Sequence, residues 1–170
     1  LNTGTHAIDG WRYILSDLET LWVIGQTART TDRWERRSAC EDLCMGLVCF
    51  EGGTRGVYEG DLPEPKVSMP TVYGTKGQIR TDGTGVIAKG NIALQTINSN
   101  QWQEVEPSPV ETNQYQEMID WIEGRIETHR SSGYQARYTI EIMMAIYESL
   151  RTKNIVTMPV ETADSPLEIM

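Results

Sequence analysis

The chain has 170 residues, a length that fits one domain with a substantial hydrophobic core. Its formal charge of −9, from 24 acidic and 15 basic residues, disfavours binding to a polyanion such as DNA or to an anionic membrane surface. No apolar run approaches the roughly 18 residues of a membrane-spanning helix. No pattern typical of a signal peptide is found at the start. We expect a cytoplasmic protein with reduced thiols.

The first predicted element is a helix over about residues 5–15, followed by a strand over residues 20–29. The helix has an apolar stripe at helical spacing, formed by Ile8, Trp11 and Leu15. His6 and Asp9 lie on a different face of the same helix. The helix is therefore expected to bury its stripe and to present these two titratable side chains elsewhere.

Strands dominate the middle of the chain. They are predicted over residues 42–50, 54–60, 67–73, 78–81, 86–88, 92–97 and 102–105. Glycines in the turns at 51–53 and 74–77 allow the tight reversals of two hairpins. Lys76 lies in the second of these turns, and without a strand-to-helix context it indicates a hairpin rather than a phosphate-binding loop.

Two helices and a short strand over residues 155–158 close the chain. Asn113 with Gln116, and Ser132 with Gln135, have the spacing of capping boxes. The helix after Asn113 has the apolar residues Tyr115, Met118, Ile119, Ile122 and Ile126. The helix after Ser132 has Ala136, Ile140, Met143, Met144, Tyr147 and Leu150. We expect these residues, and Trp121, to be core.

Central strands joined as hairpins, with helices at both ends, predict an α+β fold. Its architecture would be an open, largely antiparallel sheet with helices packed on one face. No strand is followed by G-x-G-x-x-G and a helix, so the sequence contains no dinucleotide-binding loop of the Rossmann type.

The pair His6 and Asp9 is the main candidate for chemistry. Residues three apart on a helix share a face, and a histidine beside a carboxylate can act as a general acid or base near neutral pH. Asn2, four residues before His6, would share that face if the helical turn begins early. The alternative is that these polar residues only decorate the start of a helix, and spacing alone does not exclude it.

Other titratable residues favour structural roles. Arg33, Arg36 and Arg37 fit either a clamp for an anionic substrate or a solvated loop, and the loop is the simpler interpretation. His129 is interpreted as a surface residue near a helix end. The three cysteines, Cys40, Cys44 and Cys49, do not have zinc-ligand spacing, so we expect reduced structural thiols and no metal.

Four segments, in order, resemble the C-terminal domain of the Gfo/Idh/MocA family of NAD(P)-dependent oxidoreductases. The family pattern D-x-x-x-H-x-x-D, continued by R-Y, is similar to Asn2-x-x-x-His6-x-x-Asp9 followed by Arg12-Tyr13. VCFEGG at 48–53 and VYGTKGQI at 72–79 are similar to two family hairpins. AIYESLRT at 145–152 with VTMP at 156–159 is similar to the family's C-terminal ending.

The resemblance implies that residues 1–170 form a single C-terminal domain for substrate binding and oligomerisation. The Rossmann domain, with a catalytic lysine and most of the NAD or NADP site, would precede it. His6 would exchange a proton with a substrate hydroxyl, and Asp9 would bind substrate or hold His6. Asn2 replaces the first Asp of the pattern and can orient a hydroxyl but cannot ionise.

The parent protein implied by this resemblance is a dehydrogenase or reductase of a sugar, polyol or related hydroxyl or keto compound. This chain by itself would then be inactive. It would associate into a homo-oligomer, a dimer or tetramer, through its open sheet face. The rival hypothesis is a stand-alone, non-catalytic interaction or oligomerisation module.

Overall fold

The computed structural model describes residues 4–15, 18–29, 41–61, 71–81, 92–106, 112–161 and 164–169. Its elements in chain order are α1 (Gly4–Ile14), β1 (Thr20–Ala28), β2 (Leu43–Phe50), β3 (Arg55–Asp61), β4 (Val72–Gly74), β5 (Gly77–Thr81), β6 (Ile92–Thr96), β7 (Gln103–Val105), α2 (Gln114–Ile122), α3 (Gly133–Thr152) and β8 (Val156–Thr157). They fall into two compact units, the first formed by residues 1–64 and 133–170 and the second by residues 65–132.

The first unit is built on a four-stranded sheet in the order β3-β2-β1-β8, with antiparallel neighbours. A single 3-10 turn, Glu51–Gly53, joins β2 to β3. Gly52 and Gly53 have φ values of 68° and 81° there, a left-handed conformation that other residues rarely adopt. This confirms the hairpin predicted at these glycines.

Helices α1 and α3 pack on one face of this sheet. The core contains Ile8 and Trp11 of α1, Val48 and Phe50 of β2, and Ile146 of α3. Glycines let α3 approach closely, since a Cβ built on Gly25 would lie 2.7 Å from Cγ2 of Ile146. The close helix-to-sheet contact holds α1 and α3 in fixed positions over the sheet.

The opposite face of the same sheet, which we call the outer sheet face, is apolar and accessible. Side chains along a strand point alternately to the two faces of the sheet. Gly25 and Gly46 face α3, so the residues next to them in sequence point to the outer sheet face. Ile24, Leu47 and Val57 stand in one row across three strands. Val57 is 71% exposed and Met45, nearby on β2, is 49% exposed.

The second unit contains a four-stranded antiparallel sheet in the order β4-β5-β6-β7, and helix α2. The β4–β5 hairpin turns at Thr75 and Lys76, as predicted. Asn113 begins α2 by accepting hydrogen bonds from the backbone N–H groups of Tyr115 and Gln116. The reciprocal half of the predicted capping box is absent, because the amide of Gln116 donates to Asp120 instead.

The α+β class with antiparallel strands and packed helices is confirmed, and the described strands divide between two sheets. The predicted core face of α2 is wrong, because its apolar residues are exposed: Tyr115, Met118, Ile119, Trp121 and Ile122. The prediction for α3 is partly wrong. Met143 and Tyr147 are buried, but Ala136 and Ile140 are exposed and the core face includes Thr139 and Ser149.

Candidate functional site

Helix α1 presents His6 and Asp9 on its accessible side. At about 100° per residue the two side chains are about 60° apart around the helix axis. Both residues are exposed, whereas Ile8 and Trp11, on the other side of α1, are buried. The apolar stripe therefore orients the helix, and the two titratable residues of the predicted site face outward.

Asp9 is held by α3 rather than by His6. Its Oδ1 accepts a hydrogen bond of 3.0 Å from the hydroxyl of Thr139, which is 1% exposed. Within the described ranges, neither the imidazole of His6 nor Oδ2 of Asp9 has a hydrogen-bond partner. One oxygen of Asp9 is thus anchored, and the other remains available together with His6.

The two helices run antiparallel, and their contacts recur at regular steps. Arg12 donates to the backbone oxygen of Gln135 and to its side-chain oxygen, at 2.6 and 3.0 Å. Thr5, one turn before Asp9, donates to the sulfur of Met143 at 3.5 Å. These contacts fix which end of α3 lies beside the N-terminal end of α1.

Sequence analysis missed a further carboxylate, that of Glu41, which contacts α3 one turn beyond Met143. The hydroxyl of Tyr147, on the next turn of α3, donates to Oε1 of Glu41 at 2.7 Å. Burial acts to raise the pKa of Glu41, but the hydrogen bonds that its carboxylate accepts outweigh burial and lower the pKa. The sequence signal for this contact is Tyr147, because a tyrosine in a core stripe needs a hydrogen-bond partner for its hydroxyl.

Several predicted residues lie outside the described ranges, namely Asn2, Arg33, Arg36, Arg37 and Cys40. Cys44 and Cys49 are buried free thiols, and burial raises the pKa of Cys44 to about 11. A thiol with that pKa remains protonated near neutral pH. In the part of the chain that the structure describes, no group of three or more His, Cys, Asp or Glu residues is placed to hold a metal ion.

A cavity of about 850 Å³ lies at the opposite end of α1. It is lined by Arg12 at the end of α1 and by Tyr134, Arg137 and Tyr138 at the start of α3, among others. The guanidinium of Arg137 lies 4.7 and 4.6 Å from the two tyrosine ring centroids. Neither His6 nor Asp9 lines this cavity, so it is separate from the predicted site.

His129 is not the simple surface residue that the sequence indicated. It lies in the connection after α2, with its ring centroid 5.2 Å from that of Trp121. Its Nδ1 is buried and has no hydrogen-bond partner among the described residues. The prediction failed because α2 ends at Ile122, several residues before His129.

The comparison with known protein families identifies the domain to which this fold belongs. Residues 1–162 match the C-terminal alpha/beta domain of oxidoreductases. The chain belongs to the Gfo/Idh/MocA family. No curated protein matches the chain significantly in sequence.

Several solved structures with the same fold are described as oxidoreductases. An oxidoreductase from Desulfitobacterium hafniense is 17% identical, with a TM-score of 0.74 over 98% of this chain and 47% of its own. Aldose-aldose oxidoreductase from Caulobacter crescentus, complexed with glycerol, is 18% identical, with a TM-score of 0.70 over 91% and 46%. The WlbA dehydrogenase from Bordetella pertussis, in complex with NADH and UDP-GlcNAcA, is 20% identical, with a TM-score of 0.65 over 94% and 44%.

The chain spans less than half the length of each of these three structures. At these identities the likeness concerns the fold. Among the described helices, none is long and apolar enough to cross a membrane.

Proposed function

We propose that this chain is the substrate-binding and oligomerisation domain of an NAD(P)-dependent oxidoreductase. The parent protein would transfer a hydride between the nicotinamide and a sugar, polyol or related hydroxyl or keto compound, in the cytoplasm. The observation that carries this proposal is the exposed His6 on α1, in the segment that resembles the family's histidine pattern and on the same side of the helix as the anchored Asp9.

The nicotinamide cofactor would supply the hydride acceptor or donor. The sequence contains no dinucleotide-binding loop, so the cofactor would be held mainly by a Rossmann domain outside this chain. The outward-facing surface of α1 fits this arrangement, because His6 is free to face a cofactor and substrate bound from outside. Residues of this chain would therefore handle the substrate rather than the nucleotide.

His6 would act as the acid and base for the substrate hydroxyl. During oxidation, the imidazole would accept the hydroxyl proton while the carbon loses its hydride, and in reduction it would return the proton. Asp9, fixed by Thr139, would accept a hydrogen bond from a neighbouring substrate hydroxyl through its available oxygen. Asn2 would orient a hydroxyl without contributing charge.

The oligomerisation role rests on the outer sheet face. Ile24, Leu47 and Val57 form an apolar row across three strands, and Val57 is 71% exposed. An apolar sheet face of this kind is typical of protein–protein contacts. The same surface would serve a non-catalytic interaction module, so His6 rather than the sheet distinguishes the two functions.

The test is His6→Ala in the full-length protein. General acid–base groups typically contribute about 10² to 10⁴ in rate, so we expect kcat to fall by about that factor while the protein remains folded. His129→Ala is the matched control, because it removes the other histidine of the sequence from a different unit. Turnover within a few-fold of wild type in the His6→Ala protein would contradict the proposed role and favour the interaction module.

A further inference from the structure

The first turns of α3 present a polar and aromatic side to the cavity beside Arg12. Tyr134, Arg137, Tyr138 and Glu141 stand at i, i+3, i+4 and i+7, so they share one side of the helix. All four line the cavity. Its volume of about 850 Å³ is within the range of small-molecule sites, and its lining residues all belong to the first unit.

The guanidinium of Arg137 is held in place by the two tyrosines. Its Cζ lies 4.7 and 4.6 Å from their ring centroids, and the two rings meet edge to face at 5.7 Å. Nη2 of Arg137 donates to the hydroxyl of Tyr138 at 3.1 Å, and that hydroxyl donates to the hydroxyl of Tyr134 at 3.2 Å. Among the described residues, Arg137 has no other acceptor and the hydroxyl of Tyr134 has none. A preorganised guanidinium and a phenol therefore remain available to donate hydrogen bonds to one ligand group.

The electrostatic potential around Tyr138 favours negative charge. The guanidinium of Arg12 lies 5.0 Å from the ring centroid of Tyr138, in addition to that of Arg137. The hydrogen bond with Tyr134, and then the one from Arg137, lower the pKa of Tyr138, and the charges of both arginines act in the same direction. The groups that stabilise a negative charge on this phenol oxygen would also stabilise an anionic group of a ligand beside it.

The rest of the lining limits the charge and the shape of such a ligand. Glu19 and Glu141 also line the cavity, and their carboxylates would repel a second negative charge. Ile140, Met158 and Pro159 add apolar surface. One singly charged anionic group on an apolar body fits this combination.

We propose that this cavity is a second binding site, which takes an organic monocarboxylate with an apolar body. The carboxylate accepts hydrogen bonds from Arg137 and from the hydroxyl of Tyr134, and the apolar part packs against Ile140 and Met158. Neither His6 nor Asp9 lines the cavity. The inference therefore goes beyond the proposed oxidoreductase function and does not depend on it.

The test measures binding of benzoate, benzamide and phenyl phosphate to the full-length protein by isothermal titration calorimetry at neutral pH. Benzamide has nearly the shape of benzoate without its charge, and phenyl phosphate carries more negative charge. Benzoate should bind at least about five-fold more tightly than either of the other probes. Arg137→Gln removes the charged donor and should weaken benzoate binding by about ten-fold or more. Tyr134→Phe, which removes only a hydroxyl, should give a smaller loss.

Three further variants serve as controls. Arg80→Gln is the matched one, because Arg80 is also an exposed arginine over an aromatic ring, 4.0 Å from the centroid of Trp102 in the second unit, and it should leave benzoate affinity within about two-fold of wild type. Arg137→Lys keeps the charge without the planar fork, so its affinity should fall between wild type and Arg137→Gln. His6→Ala should bind benzoate as the wild type does, which separates this site from the acid–base role. Thermal midpoints show that each variant is folded.

Any of four results overturns the inference. These are benzoate affinity of the folded Arg137→Gln protein within about two-fold of wild type, an equal loss in Arg80→Gln, binding of benzamide or phenyl phosphate as tight as that of benzoate, or no binding of benzoate to the wild type at millimolar concentrations.

Discussion

Helices α1 and α2 have similar lengths, and each has apolar residues at helical spacing on one side. In the first unit, the stripe of α1 is covered by the sheet and by α3, and Ile8 is fully buried. In the second unit, the stripe of α2 remains accessible, with Tyr115 and Ile122 exposed by 72% and 66%. Two similar sequence patterns therefore have opposite relations to solvent.

The residue that α2 does bury is a carboxylate. Glu117 is 8% exposed and pairs with Arg130, whose Nε donates to it at 3.1 Å. A charged group is tolerated in such a position because its partner satisfies it. The difference between α1 and α2 teaches that periodicity identifies which side of a helix is apolar, but does not identify what covers that side.

The largest expected effect is a loss of stability in one of two matched variants, in which a single isoleucine of α1 or of α2 is truncated to alanine. Ile8→Ala removes a fully buried side chain from α1 and should destabilise the protein by about 2–5 kcal/mol, because it leaves a cavity in the core. Ile122→Ala in α2 changes an exposed side chain and should stay within about 0.5 kcal/mol of wild type. Denaturant unfolding followed by far-UV circular dichroism measures both changes.

The matched pair also tests whether the α2 surface is truly open. Both substitutions remove the same atoms and have the same intrinsic effect on helix propensity. If Ile122→Ala proved as costly as Ile8→Ala, the apolar side of α2 would have to be covered in solution. Repeating the measurement over a range of protein concentrations would then show whether a second copy provides the cover.

The outer sheet face gives a second, intermediate effect, on association rather than folding. Val57→Lys places a charge at the most exposed member of the apolar row, on the edge strand β3, so we expect self-association to be lost while the thermal midpoint of the monomer changes little. Sedimentation velocity measures the association. Ile97→Lys, at a 73% exposed position of the second unit, is the control and should leave the sedimentation of the wild-type assembly unchanged.

A wild-type chain that sediments only as a monomer at tens of micromolar would contradict the oligomerisation role. The Val57→Lys comparison would then have no association to disrupt. The proposed hydride-transfer function would survive that result, because it depends on His6 and not on the sheet.

The elements were predictable from sequence where local signals and packing agree. The hairpin at Glu51–Gly53 and the strand Thr20–Ala28 were found at nearly their observed bounds, because turn glycines and strand propensity are local properties. The core face of α3 was less predictable, since Thr139 and Ser149 occupy it. The hydroxyl of Thr139 donates to Asp9, and that of Ser149 accepts from the backbone N–H of Gly25, both partners far away in sequence, while Ser149 also donates to the nearby backbone oxygen of Asn154.

Of the candidate site, only the part that lies on a single helix was predictable from the sequence. His6 and Asp9 follow from spacing on one helix, and their exposure follows from the apolar stripe on its other side. The hydrogen bond between Tyr147 and Glu41 was not predictable, because the two residues lie 106 positions apart in the chain. Periodicity reports faces of single elements, and a site assembled from several elements needs the tertiary contacts.

The smallest expected effect concerns the carboxylate that α2 buries. The hydrogen bond from Arg130 holds the pKa of Glu117 below its usual range, so the pair stabilises the folded state above the ordinary glutamate pKa of about 4.3 and loses that contribution as the pH falls through the lowered value. Arg130→Gln should therefore lower the thermal midpoint at pH 7, and the difference from wild type should shrink toward pH 3. Lys76→Gln, which removes an equal charge from an exposed turn, should show no such trend. A gap for Arg130→Gln that stays constant across this range would mean that the arginine acts through packing of its side chain rather than through the ion pair.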